Sequence, residues 1–315
     1  MEFNLSDEIK NRRENIRTST LKVYVGNLSN LNEKEPINNL DFLKDIDLIS
    51  SRIEKYSIPT QRNYLTAAMV ALSIYDAGDA WNDWKPIYDI YKKTLEDKTS
   101  DYQKTVESHA KSVKQEQNWI TRKQQLKLIN KYKRELKAIN FDINAPSKMG
   151  IKIYQYLIIV SLYYYQAPRR LDYAPVKIIE TRDEDDGEHN FLLVLNKNKK
   201  YFIFNKYKTS NFHGKQEIAV TKPLNKLLND WLKINTSSSL LLNSQNKPLS
   251  SNGLGKMIPE AYKPSGIQSV TANILRHVYT TEMIGTDEID KDKERKKIAN
   301  DMAHSTTAQI NYIKV

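Results

Sequence analysis

The sequence predicts a mainly α fold with a small antiparallel β-sheet: an N-terminal helical bundle followed by an α+β domain. Three observations lead there. Over roughly the first third of the chain, apolar residues recur at helical spacing. Four short runs rich in Val, Ile, Leu and Phe then cluster between residues 176 and 220, separated by polar turns. Helical spacing resumes on both sides of that cluster. A chain of 315 residues accommodates two domains, and the division is expected near residue 115, giving 1–115 as a helical domain with its linker and 116–315 as the second domain.

In the first domain, S-T-L-K-V-Y-V-G-N-L begins at Ser19 and places Leu21, Tyr24, Val25 and Leu28 at helical intervals. Pro36 and Asn38-Asn39 interrupt, and Leu43, Ile46, Ile49 and Ile53 then share a face. Pro59-Thr60 opens a third helix, whose Ala67, Ala68 and Ala71 permit close helix packing. A short fourth helix carries Trp84, Ile87, Ile90 and Tyr91. From Glu96 to Gln117 the chain is polar and free of Gly and Pro. This reads as a separate, exposed helix that runs into the linker.

The second domain is expected to start near Trp119, with a basic helix from Arg122 that turns Leu126, Ile129, Tyr132 and Leu136 inward. A buried helix runs from about Met149 to Gln166 and is stopped by Pro168. Strands follow around Ile178, at 191–195, at 201–204 and at 216–220. The first connection, T-R-D-E-D-D-G-E, reads as a solvated acidic turn. Helices begin near Pro223, beyond Ser250 and at Thr271, and a basic helix follows from Lys293.

Lys and Arg number 49 against 38 Asp and Glu, a formal charge of +11, which points to a polyanionic partner. The absence of cysteine excludes disulfides and thiolate metal sites. The most apolar run, Tyr156 to Tyr165, is too short to span a bilayer. With no apolar signal region after Met1, an intracellular protein is expected. The five histidines are scattered and the 9 glycines form no phosphate-cradling loop, so neither metal nor other cofactor is expected.

The residues suited to chemistry lie in the second half. Arg169 follows Pro168 in A-P-R-R-L-D-Y, with Asp172 three residues on and Arg170 as a competitor. Lys208 stands in K-Y-K-T-S between the third and fourth β runs, with Lys206 and Lys215 as rivals. Arg276 belongs to N-I-L-R-H, preceded by Asn273. His304 lies in M-A-H-S-T-T, eight residues before Tyr312 and just ahead of a helix-starting segment. Fixed cations and hydrogen-bond donors of this kind stabilise charge on phosphate oxygens, and a guanidinium holds two at once.

In order and context, Arg169, Lys208, Arg276, His304 and Tyr312 resemble the active-site series of the tyrosine recombinases, the phage-type integrase family. The resemblance covers the second half of the chain. S-T-L-K-x-Y and T-Q-R-N-Y-L-x-A-A extend it to the helical domain, which is similar to the family's core-DNA-binding domain. It implies a DNA recombinase or integrase that needs neither metal nor ATP, binds double-stranded DNA and assembles on it as a tetramer. The implied roles are as follows. Arg169, Arg276 and His304 hold the phosphate, Lys208 protonates the departing 5′ oxygen, and Tyr312 attacks phosphorus to form a 3′-phosphotyrosine. Lys22, Arg62, Asn63 and Arg122 are further candidate DNA contacts.

The sequence departs from the family at Asn273, where histidine or lysine is usual, because an amide takes no proton near neutral pH. The spacing from His304 to Tyr312 is also one residue short, and Tyr279 is an alternative nucleophile. Two other readings stay open: a type IB topoisomerase, and a DNA-binding relative that has lost catalysis.

Overall fold

The computed structural model describes residues 3–285, 290–292 and 294. His304, Tyr312 and all but Glu294 of the basic segment from Lys293 onward lie outside the described residues. The chain divides into two compact units, Met1–Ala110 and Lys111–Val315.

In the first unit, α1 (Leu5–Arg12) is capped by Asn4, whose side-chain oxygen accepts from the N–H groups of Ser6 and Asp7. It is followed by α2 (Thr18–Leu31), a 3-10 turn at Asp41–Lys44, α3 (Ile46–Glu54), α4 (Ile58–Leu72) and α5 (Trp81–Glu107). Pro59 occupies the first turn of α4, where its missing N–H costs nothing. Further along α4, Ala67, Ala68 and Ala71 have no exposed surface, and the lack of bulk there lets α2 and α5 approach closely. Leu28, Leu40, Leu43 and Leu72 complete this core, and the buried Tyr91 hydroxyl donates to the Leu43 carbonyl at 2.9 Å.

The first unit differs from expectation in its last helix. The fourth helix and the first part of the exposed one are a single element, the 27-residue α5, which ends at Glu107 and does not run on to Gln117. Only Trp84 and Tyr91 are fully buried, so the second half of α5 has no apolar face to end it. Its residues are good helix formers, and the pairs Lys85–Asp89 and Asp101–Lys104 add i,i+4 and i,i+3 support.

In the second unit, α6 (Val113–Gln117) and α7 (Arg122–Ala138) each start with a capping box, Ser112 with Gln115 and Thr121 with Gln124. The inward face of α7 is Gln125, Leu128, Ile129, Tyr132 and Leu136. Leu126, expected to be inside, is exposed because it lies about 100° from Gln125 around the helix. Helix α8 (Lys148–Tyr165) is apolar on every side, with Leu157 to Tyr163 buried without interruption, and packs against α7.

The sheet follows, with β1 (Val176–Ile179), β2 (Asn190–Asn196), β3 (Lys199–Phe204) and β4 (Gln216–Ala219) in the order β1-β2-β3-β4. It is mixed rather than antiparallel, because β1 pairs with β2 in parallel. The acidic connection is long enough to carry the chain back along β1 before β2 begins, as a tight hairpin could not. Nor is this connection only solvated: Asp185, 5% exposed, is bound by Lys215 at 2.5 Å and by the Asn205 amide at 2.7 Å.

A short helix, α9 (Ser210–His213), interrupts the β3–β4 connection. Helix α10 (Lys222–Ile234) turns Leu224, Leu228 and Trp231 into the core. Lys200, at the start of β3, is buried against it. Its ammonium donates to Asn225 Oδ1 at 2.9 Å, to Asn229 Oδ1 and to the Lys197 carbonyl at 3.1 Å. Burial lowers its pKa. The unit continues with α11 (Ser251–Tyr262) and α12 (Ala272–Ile284), the latter capped by Thr271. Among the described residues, no helix is long and apolar enough to cross a membrane.

Candidate functional site

Arg169 lies in the irregular segment between α8 and β1, four residues beyond the last helical residue. Its Nε donates to Asp172 Oδ2 at 3.0 Å and its Nη1 to Gln216 Oε1, on β4, at 2.6 Å. The guanidinium packs over the ring of Phe204 at 3.9 Å and over that of Tyr207 at 4.6 Å. Both partners of the ion pair are 14% exposed, so solvent screens this pair less than a surface one. Among the described residues nothing hydrogen-bonds Nη2. The cage thus fixes a planar cation and leaves it one nitrogen for a ligand. Arg170, the competitor, contributes its carbonyl, which accepts from the Tyr163 hydroxyl at 2.6 Å.

Lys208 lies in the connection between β3 and β4, exposed, directly before Thr209 and α9. Its rivals are both engaged: Lys206 with Glu188 at 3.0 Å and Lys215 with Asp185 at 2.5 Å. Lys208 has no ion-pair partner among the described residues. The connection is tied to Arg169 in two ways. Tyr207 provides one of the rings under the guanidinium, and Gln216 closes the loop at the start of β4. Asp185, which anchors the loop through Lys215, would have its pKa raised by burial, but the ammonium of Lys215, the Gly187 N–H and Asn205 outweigh that and hold it below the usual carboxylate range.

Arg276 is half-buried on α12, and Asn273 and His277 are exposed. The three-residue interval puts Asn273 one turn ahead of Arg276. Tyr279, one turn later, is close enough to Tyr173 to contribute to the rise in that phenol's pKa, which burial dominates. Arg122 adds a firmer link. Its guanidinium lies over Tyr164 at 4.3 Å and Tyr279 at 5.3 Å, and donates to the Tyr164 carbonyl at 2.9 Å. Its backbone N–H donates to Glu282 Oε1 at 3.0 Å. It joins the end of α8 to α12.

The remaining candidates lie on the first unit. Lys22 is exposed on α2 and Asn63 on α4. Arg62 reaches α5, where Nε donates to Thr99 Oγ1 at 3.0 Å and the guanidinium covers the ring of Tyr102.

The structure brings together Arg169, Asp172 and the loop of Lys208; among the described residues no hydrogen bond or ion pair joins Asn273 or Arg276 to them. Gln216, Phe204 and Tyr207 belong to this cluster and were not read from the sequence. Glutamine and aromatic residues in a strand carry no signal of which side chain they will meet. Among the described residues, no group of three or more His, Asp or Glu is placed to hold a metal ion.

No family model matches the chain, and no curated protein matches it. Among solved structures it is similar to one titled "Crystal structure of XerA recombinase", with 14% sequence identity and a TM-score of 0.35, covering 89% of this chain and 82% of that one. A likeness of that size shows nothing about function.

Proposed function

We propose that this chain is a tyrosine recombinase, which breaks and rejoins strands of double-stranded DNA through a covalent 3′-phosphotyrosine and acts as a tetramer on DNA. In this reading Arg169 and Arg276 hold the non-bridging oxygens of the scissile phosphate, and His304 donates a further hydrogen bond. Tyr312 attacks phosphorus. The bond from phosphorus to the 5′ oxygen breaks as that oxygen takes a proton from Lys208. The phenolic proton passes to a base that Asn273 does not supply. The phosphodiester energy is kept in the protein–DNA bond, so a second hydroxyl can reverse the step without ATP.

The observation that carries this reading is the cage around Arg169. A guanidinium fixed by Asp172 and Gln216 is joined through Tyr207 to the loop that presents Lys208, the one lysine of three there without a carboxylate partner among the described residues. That combination serves phosphoryl transfer, in which preorganised charge does most of the work.

The test is covalent trapping on a nicked duplex, enriched from random sequence by binding to the full chain. A metal-independent adduct on the 3′ phosphate that is lost in Tyr312→Phe supports the proposal. Tight binding without an adduct, with Asn273→His restoring cleavage, would instead identify a lapsed DNA-binding relative. The motive for that second reading is Asn273 itself, exposed one turn before Arg276.

A further inference from the structure

The tip of the β3–β4 connection carries Phe212, which is 89% exposed, more than any other large apolar side chain among the described residues. The loop beneath it is well fastened. The Tyr207 hydroxyl donates to the Gly214 carbonyl at 2.7 Å, across the base of the tip. Gly214 N–H donates to the Ser210 carbonyl at 2.8 Å, and the φ of +63° at Gly214 is the turn that brings the chain back. Asn190 Oδ1 accepts from the N–H groups of both Asn205 and Lys206, at 3.0 and 2.9 Å. Phe212 is therefore an apolar ring on a well-fastened loop, which shares Tyr207 with the cage around Arg169. Around it stand Asn211, His213 and Lys208, all exposed.

An exposed phenyl ring lowers solubility unless something covers it, and here its neighbours choose the partner. Lysine and asparagine beside an apolar wedge are the side chains with which proteins enter the minor groove and part a base step. We propose that Phe212 is such a wedge: it inserts at a base step of duplex DNA beside the phosphate held by Arg169, unstacks it, and so favours sites where that step is easily deformed. The inference rests on the DNA reading above.

The probe is a duplex enriched from random sequence by binding to the full chain, examined with potassium permanganate, which oxidises unstacked thymines. Wild type is expected to create a reactive thymine next to the cleavage position. In Phe212→Ala that reactivity disappears and affinity falls about tenfold. The dependence of log K on log salt keeps its slope, since no charge is removed, whereas Lys208→Ala lowers that slope by about 0.9. Phe212→Trp retains both signals. With a side chain this exposed, thermal midpoints should not differ. If wild type binds and forms the adduct while Phe212→Ala matches it in reactivity and affinity, the wedge is wrong and the recombinase reading stands. If Phe212→Ala alters self-association alone, the ring serves a protein contact and the wedge is again wrong. Failure of wild type to bind any duplex defeats both.

Discussion

Two arginines of the second unit are each packed over a pair of aromatic rings, yet they are held for different purposes. Arg169 lies over Phe204 and Tyr207 and is gripped by a carboxylate and an amide, Asp172 and Gln216. Arg122 lies over Tyr164 and Tyr279, has no carboxylate on its guanidinium among the described residues, and donates to one backbone carbonyl. Its Nη1 is buried without a hydrogen-bond partner among the described residues. Stacking secures a guanidinium in both places. Polar partners decide the rest: Arg169 is aimed, whereas Arg122 is a tie between α8 and α12.

The sharpest way to break this comparison is Arg169→Lys. Loss of the planar fork should lower the cleavage rate by roughly 10²-fold or more while leaving equilibrium binding to DNA nearly unchanged. A variant that cleaves at the wild-type rate would remove Arg169 from the site. Arg122→Met should behave the other way. We expect denaturant unfolding to show a loss of about 2 kcal/mol from the second unit, with cleavage reduced far less than by Arg169→Lys. An equal loss of cleavage with stability intact would make Arg122 part of the site.

Lys200 extends the contrast to a buried cation with no ring and no carboxylate against it among the described residues. Its folded pKa is below its unfolded value, so the unfolded state holds more protons in the alkaline range between the two. Stability should therefore rise with pH across that interval, and Lys200→Met should remove the rise. The same substitution leaves Asn225 and Asn229 without their donor, a cost of about 1–3 kcal/mol. Asp185 has the opposite sign. Its depressed pKa adds stability above the ordinary carboxylate range, and that contribution is lost as pH falls through the folded value. The protection of the Gly187 amide, relative to its intrinsic exchange rate at each pH, should fall in acid as the clasp with Lys215 opens. The smallest effect is expected from Lys22→Ala, a salt slope lower by about 0.9 with cleavage of bound DNA unchanged.

The helices were legible because burial imposes a period: Leu43, Ile49 and Ile53 are inside, as their spacing requires. The single long α5 was not, since a polar helix with no stripe looks in sequence like a separate linker. Parallel pairing of β1 with β2 was hidden because strand direction is set by the path of the connection, not by the composition of the strands. Residue type and order made Arg169, Lys208 and Arg276 candidates. Their partners were out of reach. Gln216 lies 47 residues from Arg169, and nothing local announces such a bond. Lys200 sits in the polar run N-K-N-K-K, yet the fold buries its third lysine.

That buried lysine gives the protein an internal clock. Amine-directed reagents modify a neutral, accessible amine, and Lys200 is not accessible while β3 stays against α10. Its rate of acylation, followed by mass spectrometry under mild conditions, would therefore report how often this corner of the sheet opens without the whole unit unfolding.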